Sequence, residues 1–128
     1  MNNPNPNPEN LLPLSSAIFH ILLALADEDR HGYGIMQEVK TRTEGRVQLG
    51  PGTLYGAIKR LLEKGVIAET KERSDPELND ERRRYYRLTD FGQRVLQAEA
   101  ARLAQMVKQA QAKDLLPGWS SGLTTGGR

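Results

Sequence analysis

A chain of 128 residues with 38% hydrophobic composition is long enough for one domain with a real core and short for two. Its formal net charge of +2 is too slight to name a partner, and the lack of cysteine excludes disulfide frameworks and thiolate catalysis while suiting a reducing cytoplasm. The longest apolar run, Ile21 to Ala26, is far too short to span a bilayer, and the N-terminus lacks a basic, apolar signal pattern, so no membrane partner is expected and the expected location is cytoplasmic.

Residues 1–10, MNNPNPNPEN, are polar and punctuated by proline, and read as a disordered arm. From Leu14 the apolar residues Ile18, Ile21, Leu22 and Leu25 recur at helical spacing, with Phe19, Leu23 and Ala26 filling much of the other side. A helix apolar on most faces must be covered on most faces, by its own domain or by a second subunit. DEDRHG then ends it, and YGIMQEVKTRT gives a second helix with Ile35, Met36 and Val39 as its buried stripe.

Past a turn at Gly45 and a short extended piece, Arg46 to Leu49, comes GPGTLYG at residues 50–56. A dinucleotide fingerprint needs G-x-G-x-x-G after a buried strand, but the last gap here is one residue too long and no branched apolar run precedes it. A P-loop fails as well, because Ala57 and Ile58 stand where a lysine and a hydroxyl should meet phosphate and magnesium. The segment reads instead as the start of a third helix. Thr53 caps or opens its first turn, and Leu54, Ile58, Leu61 and Leu62 form its apolar stripe. Lys64 and Gly65 close it, since glycine accepts the left-handed conformation that commonly follows a helix.

VIAETKER and RRRYYRL follow as two extended stretches joined by SDPELND, a loop by its proline, aspartates and asparagine. They predict a two-stranded hairpin. A last helix begins at Thr89, whose hydroxyl can cap it, with Asp90 favouring the positive end of its dipole. Leu96, Ala100, Leu103, Val107 and Ala110 form a heptad seam of about two heptads on a helix too long for so small a domain to cover, so they are the expected dimerisation residues. Pro117 and Gly118 end it. The resulting plan is an arm at 1–10, a DNA-binding domain at 11–88, a dimerisation helix at 89–116 and a flexible tail at 117–128.

Three helices and a hairpin predict a mainly α fold with a small β-hairpin, the winged helix-turn-helix. In that arrangement the third helix enters the major groove, where each base pair shows a distinct donor and acceptor pattern. Burial of the apolar stripe turns Thr53, Tyr55, Gly56, Lys59 and Arg60 outward or to the flanks as candidate DNA contacts, with hydroxyls for phosphates or base edges and cations for phosphate. On the wing, Lys71, Arg82, Arg83 and Arg84 are candidates for an adjacent groove or phosphate, although the interspersed acids offer them partners in a solvated hairpin.

Three segments in order, HGYGIMQEV, GPGTLYGAIKRLLEKGVI and RRRYYRLTDFGQRVL, resemble the PadR family of bacterial transcriptional regulators over roughly Leu14 to Leu96. The resemblance implies a winged-helix homodimer that binds a palindromic operator in double-stranded DNA, usually as a repressor, and releases it on a small-molecule or other signal. It also implies DNA contact around Thr53, Tyr55 and Lys59 and by the wing. The single long C-terminal helix resembles the short subgroup of that family. Many members carry proline where Gly56 stands. Multidrug-binding members of the short subgroup place a tryptophan from the last helix between subunits, but Trp119 lies beyond Pro117 and Gly118, so no drug site is carried over.

Other chemistry finds little support. His31 beside Asp27, Glu28 and Asp29 reads as a solvated inter-helix turn, because two histidines and no cysteine leave too few ligands for a transition metal. His20 reads as a packed or interface histidine, and Tyr33, Tyr85 and Tyr86 as bridges between core and surface. No catalytic constellation is defensible from spacing, and no cofactor or metal is expected. The competing reading, a winged helix used for protein assembly, predicts an uncharged third-helix face, whereas Lys59 and Arg60 make this one basic. Single-stranded nucleic acid would need a row of stacking aromatics, and Tyr55 is the only one on that face.

Overall fold

The computed structural model describes residues 6–70, 73–74 and 82–116. Its elements are a 3-10 helix at Pro8–Leu11, α1 at Ser16–Ala24, β1 at Arg30–His31, α2 at Gly32–Arg42 and α3 at Pro51–Glu63. There follow β2 at Ile67–Glu69, β3 at Arg73–Ser74, β4 at Arg82–Arg83, β5 at Tyr85–Leu88 and α4 at Asp90–Ala112.

The hydrophobic residues of α1, α2 and α3 converge on one core. Ile21 and Leu22 of α1, Ile35 and Val39 of α2, and Leu54, Ala57, Ile58 and Leu61 of α3 are buried, and Val66, Ile67, Tyr86, Val95 and Leu96 close it from the sheet and α4. Ala57 thus joins the α3 stripe predicted from spacing, while Leu62 is only partly buried at its margin.

The predicted hairpin is present, in two ladders. β2 pairs antiparallel with β5, Ile67 facing Leu88 and Glu69 facing Tyr86, and β3 pairs with β4, Arg73 facing Arg83. The sheet has a third strand where a turn was expected. β1 lies on the other side of β5, Arg30 opposite Tyr86 and His31 opposite Tyr85, giving the order β1-β5-β2. Two residues between helices are too short a strand for alternation to reveal.

The termini of the elements follow local chemistry. Ser15 caps α1, its hydroxyl accepting from the Ile18 amide at 3.1 Å. Gly50 is the N-cap of α3 with Pro51 in the first turn, so Thr53 sits inside the helix and does not cap it. Gly65 takes the left-handed φ of 73° expected after α3. Thr89 caps α4 as predicted, its hydroxyl accepting from the Gly92 amide at 2.9 Å. The same hydroxyl lies 2.6 Å from the Gly65 carbonyl and 3.0 Å from the Val66 carbonyl, tying the start of α4 to the chain entering β2.

Part of the stretch expected to be a disordered arm has structure. Pro8–Leu11 form a 3-10 helix whose first turn is capped by Asn7 and opened by proline, and it packs against α4. Leu11 at its end, with Leu12 and Leu14 beyond it, packs on the core, an apolar anchor of which the spacing pattern takes in only Leu14. The expected tail at 117–128, the SDPELND loop and Lys71 lie outside the described residues.

Candidate nucleic-acid interface

α3 is strongly two-faced, and its apolar half is consumed by the core. What remains outward is Gly52, Thr53, Tyr55, Lys59 and Arg60, all exposed, with Gly56 half-buried between them. Tyr55 is 48% exposed, a large ring that the fold leaves partly in solvent although the core lies one turn away. The helix starts from Gly50 and Pro51 without a side-chain cap, so its first amides have no side-chain acceptor from the N-cap residue. Those amides and the helix dipole favour an anion at that end.

The glycines of GPGTLYG differ in what they permit. A side chain at Gly50 or Gly52 would meet open space, and one at Gly56 would meet only the Arg60 guanidinium at an ordinary 3.8 Å. The fold therefore does not require glycine at 56. Its effect is on the outer surface, where the missing side chain leaves room for a partner to approach the helix.

Tyr55 is held on one flank by α2. Its hydroxyl end lies against Gly32, the buried first residue of that helix. Tyr86, on β5, is nearby. Burial raises the pKa of Tyr86, with Glu69 and Tyr55 adding to the rise and Arg84 opposing it. Tyr86 therefore keeps its proton at neutral pH.

On the wing, β3 and β4 bring the backbones of Arg73, Arg82 and Arg83 together. Arg84 is exposed and contacts Glu69 at 3.4 Å, a surface pair with side chains 64% and 40% exposed. Such a pair contributes little and yields readily to phosphate.

His31 is built into the fold. Its Nδ1 accepts from the Gly34 amide at 2.9 Å to cap α2, and its ring meets Tyr85 edge-on at 5.1 Å. The acids before it are engaged by Arg30, which reaches Asp27 at 3.3 Å and Glu28 at 3.5 Å while its Nε donates to the Ala24 carbonyl at 2.6 Å. Among the described residues no group of three His, Cys, Asp or Glu side chains is arranged to hold a metal. His20 packs between α1 and α2, its Nδ1 3.0 Å from Arg42 Nη1. Burial and the Arg42 charge lower its pKa against the opposing pull of Glu38, so it is neutral at physiological pH. Tyr33 does not bridge core and surface: it is 53% exposed, and its hydroxyl accepts from Gln37 at 2.6 Å.

The sequence profile of the transcriptional regulator PadR-like family matches residues 21–98. The chain belongs to that family. Membership places this PadR-family chain among transcriptional regulators and not among enzymes. A PadR family transcription regulator from Clostridium difficile superposes with a TM-score of 0.64 at 26% identity, covering 77% of this chain and 97% of that one. In sequence the chain is 34% identical over 105 residues to Uncharacterized protein X of Lysinibacillus sphaericus, covering 80% of this chain and 86% of that one. PadR of Bacillus subtilis, solved in complex with operator DNA, shares the fold with a TM-score of 0.57 at 21% identity. That likeness covers 66% of this chain and 46% of PadR. The winged-helix, DNA-binding class expected from the sequence is therefore the class to which this PadR-family chain belongs.

Sequence reasoning missed a buried carboxylate in this PadR-family fold. Glu99 of α4 is 1% exposed. Its oxygens accept from Arg102 Nε at 2.7 Å and Nη2 at 2.9 Å, and from the Leu14 amide at 3.2 Å. The Arg102 hydrogen bonds lower its pKa most; burial opposes them, and the Leu14 amide and the Arg102 charge assist. The signal was available: Gly92, Val95, Leu96 and Glu99 lie at steps of three and four along the buried stripe of α4.

Proposed function

We propose that this PadR-family chain is a homodimeric repressor that binds a palindromic operator through α3 and the wing and is released by an effector. The observation that carries the reading is the outward face of α3, where Thr53, Tyr55, Lys59 and Arg60 are exposed on a helix whose other half is core. In this account Tyr55 and Thr53 read base edges or fix the helix by phosphate contacts, and Lys59 and Arg60 pair with phosphate. Gly56 admits close approach. Lys71, Arg82, Arg83 and Arg84 extend the contact from the wing.

Two copies are joined through α4. Past the core-bound Leu96, the helix leaves Val107 36% and Met106 47% exposed, with Ala100 exposed and Leu103 and Ala110 half-covered. A second α4 antiparallel or parallel to the first would bury this surface. Pairing there sets two α3 helices about one duplex turn, ~34 Å, apart. An effector acts by favouring a dimer geometry in which that spacing is lost.

The test compares variants on a duplex recovered by selection and on random duplex. Tyr55→Ala is expected to weaken binding to the selected duplex by about tenfold or more and to random duplex far less. Lys59→Ala is expected to weaken both similarly and to reduce the salt slope by about one. Equal losses on both duplexes for Tyr55→Ala would remove it from readout.

A further inference from the structure

The first residue of α2 is a glycine for a reason that lies on another helix. Gly32 is buried, and a Cβ built on it would overlap the Tyr55 hydroxyl and fall 2.7 Å from Cζ and 2.9 Å from Cε1, closer than real side-chain carbons come. Its φ is not in the left-handed region, so conformational freedom does not call for glycine here. Nor does helix formation, since alanine is the better helix former. The group occupying that space is the movable far end of Tyr55, the one aromatic ring on α3, so a side chain at position 32 would displace that ring rather than the backbone of α2.

We propose that Gly32 is a positioning residue for DNA recognition: by taking the hydroxyl end of Tyr55 against bare backbone, it fixes how that ring projects from α3 toward the duplex. The proposal rests on the reading of Tyr55 as a DNA contact. A ring held by one edge and free on the other loses little side-chain entropy on binding, which is the advantage of preorganisation. Adding a methyl group at Gly32 drives the ring to another rotamer, because the backbone of α2 is anchored by the His31 cap and by β1 pairing with β5.

The test uses protein labelled with 3-fluorotyrosine, whose four tyrosine signals are assigned by single Tyr→Phe substitutions. Gly32→Ala is expected to shift the Tyr55 fluorine signal more than those of Tyr33, Tyr85 and Tyr86 in the free protein. It is also expected to weaken the selected duplex about tenfold while sparing random duplex. In a Tyr55→Ala background the same Gly32→Ala change should cost nothing further, and if Gly32→Ala alone fails to fold, the double variant should fold. An unmoved Tyr55 signal, a repeated loss in the Tyr55→Ala background, or a double variant that also fails to fold overturns the positioning role. Full operator affinity in Tyr55→Ala instead overturns the contact itself, and the proposal falls with it.

Discussion

Glu99 shows how one residue can hold the N-terminal segment to the rest of the molecule. Its carboxylate is out of water, and Arg102 and the Leu14 amide satisfy it. Because its folded pKa is depressed, its contribution to stability is full above the ordinary glutamate value of about 4.3 and is lost as pH falls through that value and below. Arg102→Met reverses the sign: the carboxylate stays buried without its cation, so burial raises its pKa. That variant should melt well below the parent at pH 7, with the difference narrowing toward pH ~4 as the parent loses its advantage and the variant takes up its proton. Thermal melts across pH check this, and a gap that widens in acid would contradict it. The core positions were legible because Leu54, Ile58 and Leu61 repeat at helical spacing. Glu99 stands at the same kind of spacing on α4 but is easily passed over, because a charged residue is ordinarily assigned to solvent and its partner Arg102 reads as one more surface cation.

At the scale of elements, α4 begins in a close fit and ends in an open face. Gly92 sits so near the Val66 carbonyl that a Cβ there would overlap it, and the Thr89 hydroxyl reaches the same turn. Gly92→Ala should therefore cost about 2 kcal/mol of stability despite improving helix propensity, read by denaturant unfolding. A neutral result would mean that α4 shifts freely against β2. Farther along, the exposed seam predicts association: the parent should have the mass of two chains by light scattering at micromolar concentration, and Leu103→Glu should run as one. A parent of one-chain mass would contradict the dimer. Helix existence and the Thr89 cap could be read from periodicity and hydroxyl placement. β1 could not, since two residues carry no period, and neither could the packing of the Pro8–Leu11 turn on α4, which lies far away along the chain.

Across the whole molecule, α3 exposes a mixed polar and basic face and the wing strands β3 and β4 carry Arg73, Arg82 and Arg83. A net charge of only +2 does not weigh against the proposed DNA binding, because position on the surface, not the total, sets the local field. The glycine-rich segment that suggests a nucleotide site serves instead to begin α3 and to keep its outer face low. The most direct test of the account is selection of binding sites from a random duplex library at physiological salt, followed by sequencing. Recovery of an inverted repeat with half-sites about one turn, ~34 Å, apart is the predicted result; recovery of no sequence above background would contradict a dimer that reads DNA through α3.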